Sequence, residues 1–203
     1  MNEALDRDII DKVRRGDGEA FEELVLRYEK TVFNIALRMV GNRDDAADMT
    51  QEAFIKAFGS LSSFRSDGKF SSWLYRITTN ACLDFLRSRS RRAQASLSAD
   101  DDTEQQLEIP DLSAMPEELL MRKMSMQAVQ NGLERLAPEH RQILIMRELG
   151  GLSYAEIAAA LSLEEGTVKS RISRARKKLC AYLIADGNIP DFAASQDGEG
   201  GER

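Results

Sequence analysis

Lys169, Ser170, Arg171, Arg174 and Lys177 alternate with Val168 and Ile172 near the end of a 203-residue chain. On a helix, Val168 and Ile172 lie four apart on one inward stripe. Lys169, Ser170, Arg171, Ser173, Arg174 and Lys177 then occupy the outward face. The preceding residues prepare a partner for that helix. Ser153-Tyr154-Ala155-Glu156 has the spacing of a capping box, and Leu152 with Ile157 can close a hydrophobic staple around it. Residues 156–161 are rich in alanine, which permits a close helix crossing, and Leu161 and Leu163 can fill the corner. Two crossed helices with Arg, Lys and small hydroxyls on the second form a helix-turn-helix. Arg bonds bidentately to guanine in the major groove, each good pair being worth ~1–3 kcal/mol of discrimination. The remaining cations suit phosphates. The plainer alternative is an ordinary helical hairpin with a basic surface.

A second group begins with Phe64-Arg65-Ser66-Asp67-Gly68-Lys69-Phe70, which reads as a loop before a helix. Leu74, Ile77, Ala81 and Phe85, at steps of 3, 4 and 4, form that helix's core stripe. Trp73, Arg76, Asn80 and Arg87 fall on a neighbouring face. Aromatic rings stack on unpaired bases at ~1–3 kcal/mol each, cations hold the backbone, and an Asn amide reads a base edge. Any one of these aromatics could equally be a core residue; the cluster as a whole favours DNA. A third group lies on 44–58, where Asp48, Gln51, Glu52 and Ile55 share one helical face. Such a face repels DNA and suits a basic protein, although a solvated face is the simpler reading from chemistry alone. With no His nearby, Asp48 and Glu52 support neither a metal nor an acid–base role.

Catalysis has little to use. The one histidine, His140, sits in Ala137-Pro138-Glu139-His140-Arg141 and reads as a solvated side chain in a helix's first turn. Neither a Walker loop nor a Gly-rich dinucleotide fingerprint occurs. Cys82 and Cys180 provide no disulfide framework or four-ligand zinc site, and read as two reduced thiols. The expectation is a non-catalytic protein without cofactor, metal or small-molecule substrate. Hydrophobic residues make up 42% and charged residues 31%, as a folded soluble protein requires. No apolar run reaches the ~18 residues of a membrane helix. The acidic start Met1-Asn2-Glu3-Ala4-Leu5-Asp6 is no secretory signal, so a cytoplasmic location is expected.

The net charge of −6 opposes DNA binding until its distribution is considered. Residues 65–92 carry seven basic residues against Asp67 and Asp84, and residues 165–178 carry six against Glu165. Between them, residues 93–121 hold eight acids and no Lys or Arg. Two basic stretches, separated by a segment DNA would repel, point to two separate polyanion contacts.

Helical periodicity dominates and strand-like alternation is missing, so the fold class is all-α. A first helix over 6–15 closes at Gly16. A second, from about Gly18, carries Phe21, Leu24, Tyr28, Val32, Ile35 and Met39 as one stripe and stops at Gly41. Asp44 or Asp45 caps a third to about 58. Ser71 or Ser72 opens a fourth to about 91. Pro116 starts a helix to about 136, and Pro138 another to Gly150-Gly151. The capped helix ends near 161 and the last spans 164–184. Two helical domains follow, 1–92 and 114–184. An acidic, flexible linker over 93–113 joins them, and 185–203 reads as a disordered acidic tail.

In this order the motifs resemble those of bacterial RNA polymerase sigma factors. Asp48-Met49-Thr50-Gln51-Glu52-Ala53-Phe54-Ile55-Lys56-Ala57-Phe58 is similar to their core-polymerase-binding signature. Phe64-Arg65, Trp73-Leu74-Tyr75-Arg76-Ile77 and Asn80 resemble the segment that melts the promoter and reads the −10 element. Arg147-Glu148-Leu149, Leu152-Ser153-Tyr154-Ala155-Glu156-Ile157-Ala158 and Gly166-Thr167-Val168-Lys169-Ser170-Arg171 resemble their C-terminal helix-turn-helix. Two domains on a short linker are similar to the extracytoplasmic-function, sigma-E-like group.

The resemblance implies sigma domain 2 over 1–92 and sigma domain 4 over 114–184. It implies that Asp48, Gln51 and Glu52, with Phe54, Ile55 and Lys56, meet the basic coiled coil of the polymerase β′ subunit. Asn80, with Phe64, Arg65, Lys69 and Phe70, would capture a flipped −10 base, and Trp73 and Arg76 would support strand separation. Thr167, Lys169, Ser170, Arg171, Arg174 and Lys177 would face the −35 duplex. Helices around 117–149 would dock on the β flap, and the linker would thread a basic channel of the polymerase. An anti-sigma factor, in this family usually anchored in the membrane, would hold the protein inactive. One departure is Glu164-Glu165, where relatives often carry Pro or Ser with small residues. Negative charge there favours a helix N-terminus but sits poorly beside phosphate. A free-standing helix-turn-helix regulator is the alternative; it would bind duplex alone and ignore the polymerase.

Overall fold

The computed structural model describes residues 3–64, 68–96 and 117–187. Among them are eight α-helices and no strand: α1 (Glu3–Arg14), α2 (Phe21–Val40), α3 (Arg43–Gly59), α4 (Phe70–Ser96), α5 (Glu117–Glu134), α6 (Pro138–Glu148), α7 (Tyr154–Leu161) and α8 (Glu165–Ala185). α4 runs through Ser96 and α8 through Ala185, so the first residues of the expected linker (93–113) and tail (185–203) are helical; the rest of the linker, the start at Pro116 and the tail beyond Gly187 lie outside the described residues.

Local chemistry sets the boundaries. Asp17 accepts a hydrogen bond from the Ala20 amide and caps a short 3-10 turn, Gly18–Ala20, so α2 begins at Phe21 rather than Gly18. Its stripe of Phe21, Leu24, Tyr28, Val32, Ile35 and Met39 is buried, and Gly41 ends it at φ +97°, which favours glycine. The cap of α3 is Asn42, whose Oδ1 accepts from the Asp45 amide at 2.8 Å. Asp44 and Asp45 instead occupy the first turn, where their charge meets the positive end of the helix dipole. The expected Ser153 and Glu156 capping box is present, at 3.2 Å and 2.7 Å, with Leu152 and Ile157 both buried. Ser162 then turns the chain at φ +54° into α8.

α2, α3 and α4 pack on one another, and α1 closes their end through Asp6. Asp6 is buried and accepts from Tyr28 Oη at 2.5 Å and from Arg27. α5, α6 and α7 gather around α8. A Cβ on Gly132 would stand 2.7 Å from Leu179 Cδ1, so a larger residue there would make the Leu179 side chain shift where α5 meets α8.

The two helix groups also pack directly on each other. α2 meets α5 and α6, and α4 meets α6 and α7, so the buried residues form one cluster. Arg141, 5% exposed, donates to the Met39 carbonyl across the seam and to the Glu134 carbonyl at 2.8 Å. Gln142 Nε2 donates to Thr79 Oγ1 and Asn80 Oδ1, both at 3.0 Å. Nothing in the periodicity of the sequence foretells this seam. α3 packs on none of α5–α8 among the described residues.

Candidate nucleic-acid and polymerase interfaces

The α3 face forms because Ala46, Met49, Ala53 and Ala57 turn inward. Asp48, Gln51, Ile55 and Lys56 are left exposed, and Glu52 half-buried. Lys56 Nζ lies 2.5 Å from Glu52 Oε1, an i,i+4 pair. Phe54 is buried, edge-on to Phe21 with centroids 6.5 Å apart, and floors a groove walled by Val25, Phe33 and Thr50. Ile55, 64% exposed, adds apolar surface beside the acids. A face both acidic and apolar can seat a basic, amphipathic helix. Burial pushes the Cys82 thiol up to about 12, and the Glu52 charge adds to that.

On α4 the aromatic cluster divides. Phe64 and Phe70 are buried, whereas Trp73 is half-buried. The Phe64 and Trp73 rings stand 5.3 Å apart, Phe70 and Trp73 5.7 Å, and Tyr28 meets Phe70 edge-on at 5.4 Å. The two phenylalanines therefore anchor the loop from beneath, and Trp73 is the ring with surface to offer. Arg14, which sequence reasoning did not single out, donates to the Leu61 carbonyl at 3.1 Å and to the Phe64 carbonyl, fixing the loop's entry. Arg76 is half-buried and Asn80 exposed. Lys69 Nζ pairs with Glu156 at 3.0 Å. Arg65 lies outside the described residues.

Two clefts border this surface. Phe64, Lys69, Trp73 and Arg76 line one, facing Glu156 and Ala160 of α7. Arg76, Asn80 and Arg87 line the other, facing Gln142, Leu163 and Arg171.

On α8, Val168, Ile172 and Ala175 are buried. Lys169, Arg174 and Lys177 are exposed, and Thr167, Ser170 and Arg171 half-buried. Ser170 Oγ donates to the Thr167 carbonyl at 2.9 Å and accepts from Arg174 at 3.3 Å, so part of the outward face is preordered. Lys169 Nζ lies 3.1 Å from Glu165 and 5.8 Å from the Tyr154 ring. The unusual acid at the helix start thus finds a partner on its own helix. His140, expected in solvent, is half-buried and its Nδ1 makes no hydrogen bond. No group of His, Cys, Asp and Glu that could hold a metal occurs among the described residues. None of their helices is long and apolar enough to cross a membrane.

Family models for Sigma-70 region 2 and for Sigma-70, region 4 match residues 24–92 and 126–179. The chain is 39% identical over 185 residues to the ECF RNA polymerase sigma-E factor of Escherichia coli K12, covering 88% of this chain and 95% of that one. CnrH, solved in complex with the cytosolic domain of CnrY, matches at a TM-score of 0.64 and 29% identity, over 89% of this chain and 98% of that one. RpoE from Bartonella quintana, solved with the anti-sigma factor NepR, matches at 0.63 and 26%, over 82% and 98%. These two regions in this order, all-helical among the described residues, define a sigma factor of transcription initiation. Within that class the chain belongs to the extracytoplasmic-function, sigma-E-like family. α2–α4 carry region 2 and α5–α8 carry region 4.

Proposed function

We propose that this protein joins core RNA polymerase through the α3 face and aims its two basic surfaces at the two ends of a promoter. Asp48, Gln51 and Glu52 meet the basic coiled coil of β′, with Ile55, Lys56 and the groove over Phe54 completing the contact. The helices around 117–149 dock on the β flap. Asn80 captures a flipped −10 base beside Lys69, Arg65 and the loop that Phe64 and Phe70 anchor, while Trp73 and Arg76 hold the strands apart. Thr167, Lys169, Ser170, Arg171, Arg174 and Lys177 read the −35 duplex. Region 2 spans 1–92 and region 4 spans 114–184, with the acidic 93–113 segment threading the polymerase and 185–203 as a tail. The protein acts in the cytoplasm without catalysis of its own. An anti-sigma factor restrains it, as the complexes of CnrH with CnrY and of RpoE with NepR support; anchoring of that partner in the inner membrane fits the same reading.

One observation carries the proposal: acid and base are sorted onto separate helix faces, acids on α3 and cations on α4 and α8. In vitro transcription with purified core enzyme on a randomised promoter library tests it. Transcripts should select one −10 and one −35 sequence at a fixed spacing. A chain that binds duplex alone and does not pull down core would be a free-standing regulator instead.

A further inference from the structure

We propose that Arg14 is a positioning residue for strand separation: from α1, which makes none of the contacts proposed above with DNA or polymerase, it aims the Trp73 ring. The proposal rests on the −10 reading above. Arg14 closes α1, and its Nη2 donates to the Leu61 carbonyl at 3.1 Å and to the Phe64 carbonyl. The Leu61 carbonyl also accepts from the Phe64 amide at 3.2 Å, at the end of the 3-10 turn Leu61–Ser63. Phe64 then leaves that turn in an extended conformation, φ −66° and ψ 125°. One guanidinium thus fixes where the turn ends and which way Phe64 departs. Asp11, 4.0 Å from Arg14 Nη1, steadies it from within α1. A charged donor on a carbonyl is stronger than a neutral one, and the planar fork holds its angle where an ammonium would swivel.

Phe64 carries the constraint towards DNA. Its carbonyl is held by α1, and its ring lies 5.3 Å from Trp73 and, edge-on, 5.8 Å from Phe70. α1 has a second hold on the same cluster. Asp6 accepts from Tyr28 Oη, Tyr28 meets Phe70 at 5.4 Å, and Phe70 lies 5.7 Å from Trp73. Both phenylalanines beside Trp73 are therefore tied to α1, one through Arg14 and the other through Tyr28 and Asp6. Phe64 and Phe70 are buried and Trp73 half-buried, so the exposed ring rests on two that cannot move freely. A ring already ordered gives up less entropy when it stacks on an unpaired base.

Trp73 is the chain's one tryptophan, so its emission reports this ring alone. The test compares the full-length parent with Arg14→Met, which keeps an apolar stem, and Arg14→Lys, which keeps the charge. In the free chain, Arg14→Met should red-shift Trp73 emission and raise its quenching by acrylamide, at unchanged far-UV circular dichroism. Arg14→Lys should do the same to a smaller extent, and it decides alone should the dichroism of Arg14→Met fall. In holoenzyme, on a duplex promoter selected from the randomised library, Arg14→Met should form open complexes about tenfold more slowly, the lower end of what a charge-assisted hydrogen bond is worth. On the same promoter with a non-complementary −10 bubble the deficit should vanish, and −35 preference should stay parental. Unchanged emission in both variants would overturn the positioning. Shifted emission with parental opening, or an equal deficit on the bubble, would overturn its link to strand separation. The −10 reading is judged separately by Trp73→Ala: normal opening by that holoenzyme would remove it, while emission still reports on Arg14.

Discussion

Glu52 carries a double demand, as the polymerase contact proposed for it and as the partner of Lys56 on the same face. Glu52→Arg reverses the charge at a half-buried, outward position, so the fold should survive while assembly fails. Co-purification with core enzyme and circular dichroism check the two halves of that statement, and normal assembly would remove the assigned face. The cysteines give a second test at this scale. Cys82 is buried with its thiol pushed up to about 12, whereas Cys180 is exposed. A thiol reagent should label one site in the native protein and two after denaturation. Residues on α8 were legible because Val168 and Ile172 fix the helix phase and leave Lys169, Arg174 and Lys177 outward. Phe64 and Phe70 were not, since a phenylalanine satisfies a core or a base-stacking role with the same atoms. Gln142 carries no sequence signal at all: a mid-helix glutamine reads as surface until its partner is seen.

At the scale of elements, α7 depends on its cap. Ser153→Ala should cost about 1 kcal/mol, measured by urea unfolding. Burial would raise the Glu156 pKa, but the Ser153 amide and hydroxyl and Lys69 outweigh it and hold the group below the usual carboxylate range. A lowered value means that this stability is present above the ordinary Glu value of ~4.3 and lost as pH falls through the lowered one. Relative to Glu156→Gln, the parent should therefore be more stable at neutral pH, and the difference should vanish in acid. Most helices were legible from 3.6-residue periodicity with Gly41, Pro138 and the capping box as punctuation. The cap of α3 was misassigned because Asn42, Asp44 and Asp45 are all good capping types; only the bond from the Asp45 amide to Asn42 decides. The α2 boundary moved for a similar reason, Asp17 capping a short turn ahead of it.

At the scale of the whole molecule, a net charge of −6 and two basic surfaces coexist because the charges are sorted along the chain. That sorting was visible in the sequence; the seam between the regions was not. Its pairs, Lys69 with Glu156, Arg87 with Glu139 and Met39 with Arg141, join residues remote in sequence, and each polar member would pass for ordinary surface. The central claim is that region 2 reads separated strands at one end of the promoter while region 4 reads duplex at the other. The randomised-library transcription, run side by side with Asn80→Ala and Arg171→Ala holoenzymes, tests it most directly. Asn80→Ala should flatten preference in the −10 element and leave the −35 element intact. Arg171→Ala should relax one −35 position by ~1–3 kcal/mol and leave the −10 element intact. Identical profiles for the two variants, or an even loss across every sequence, would contradict a division of reading between the two regions.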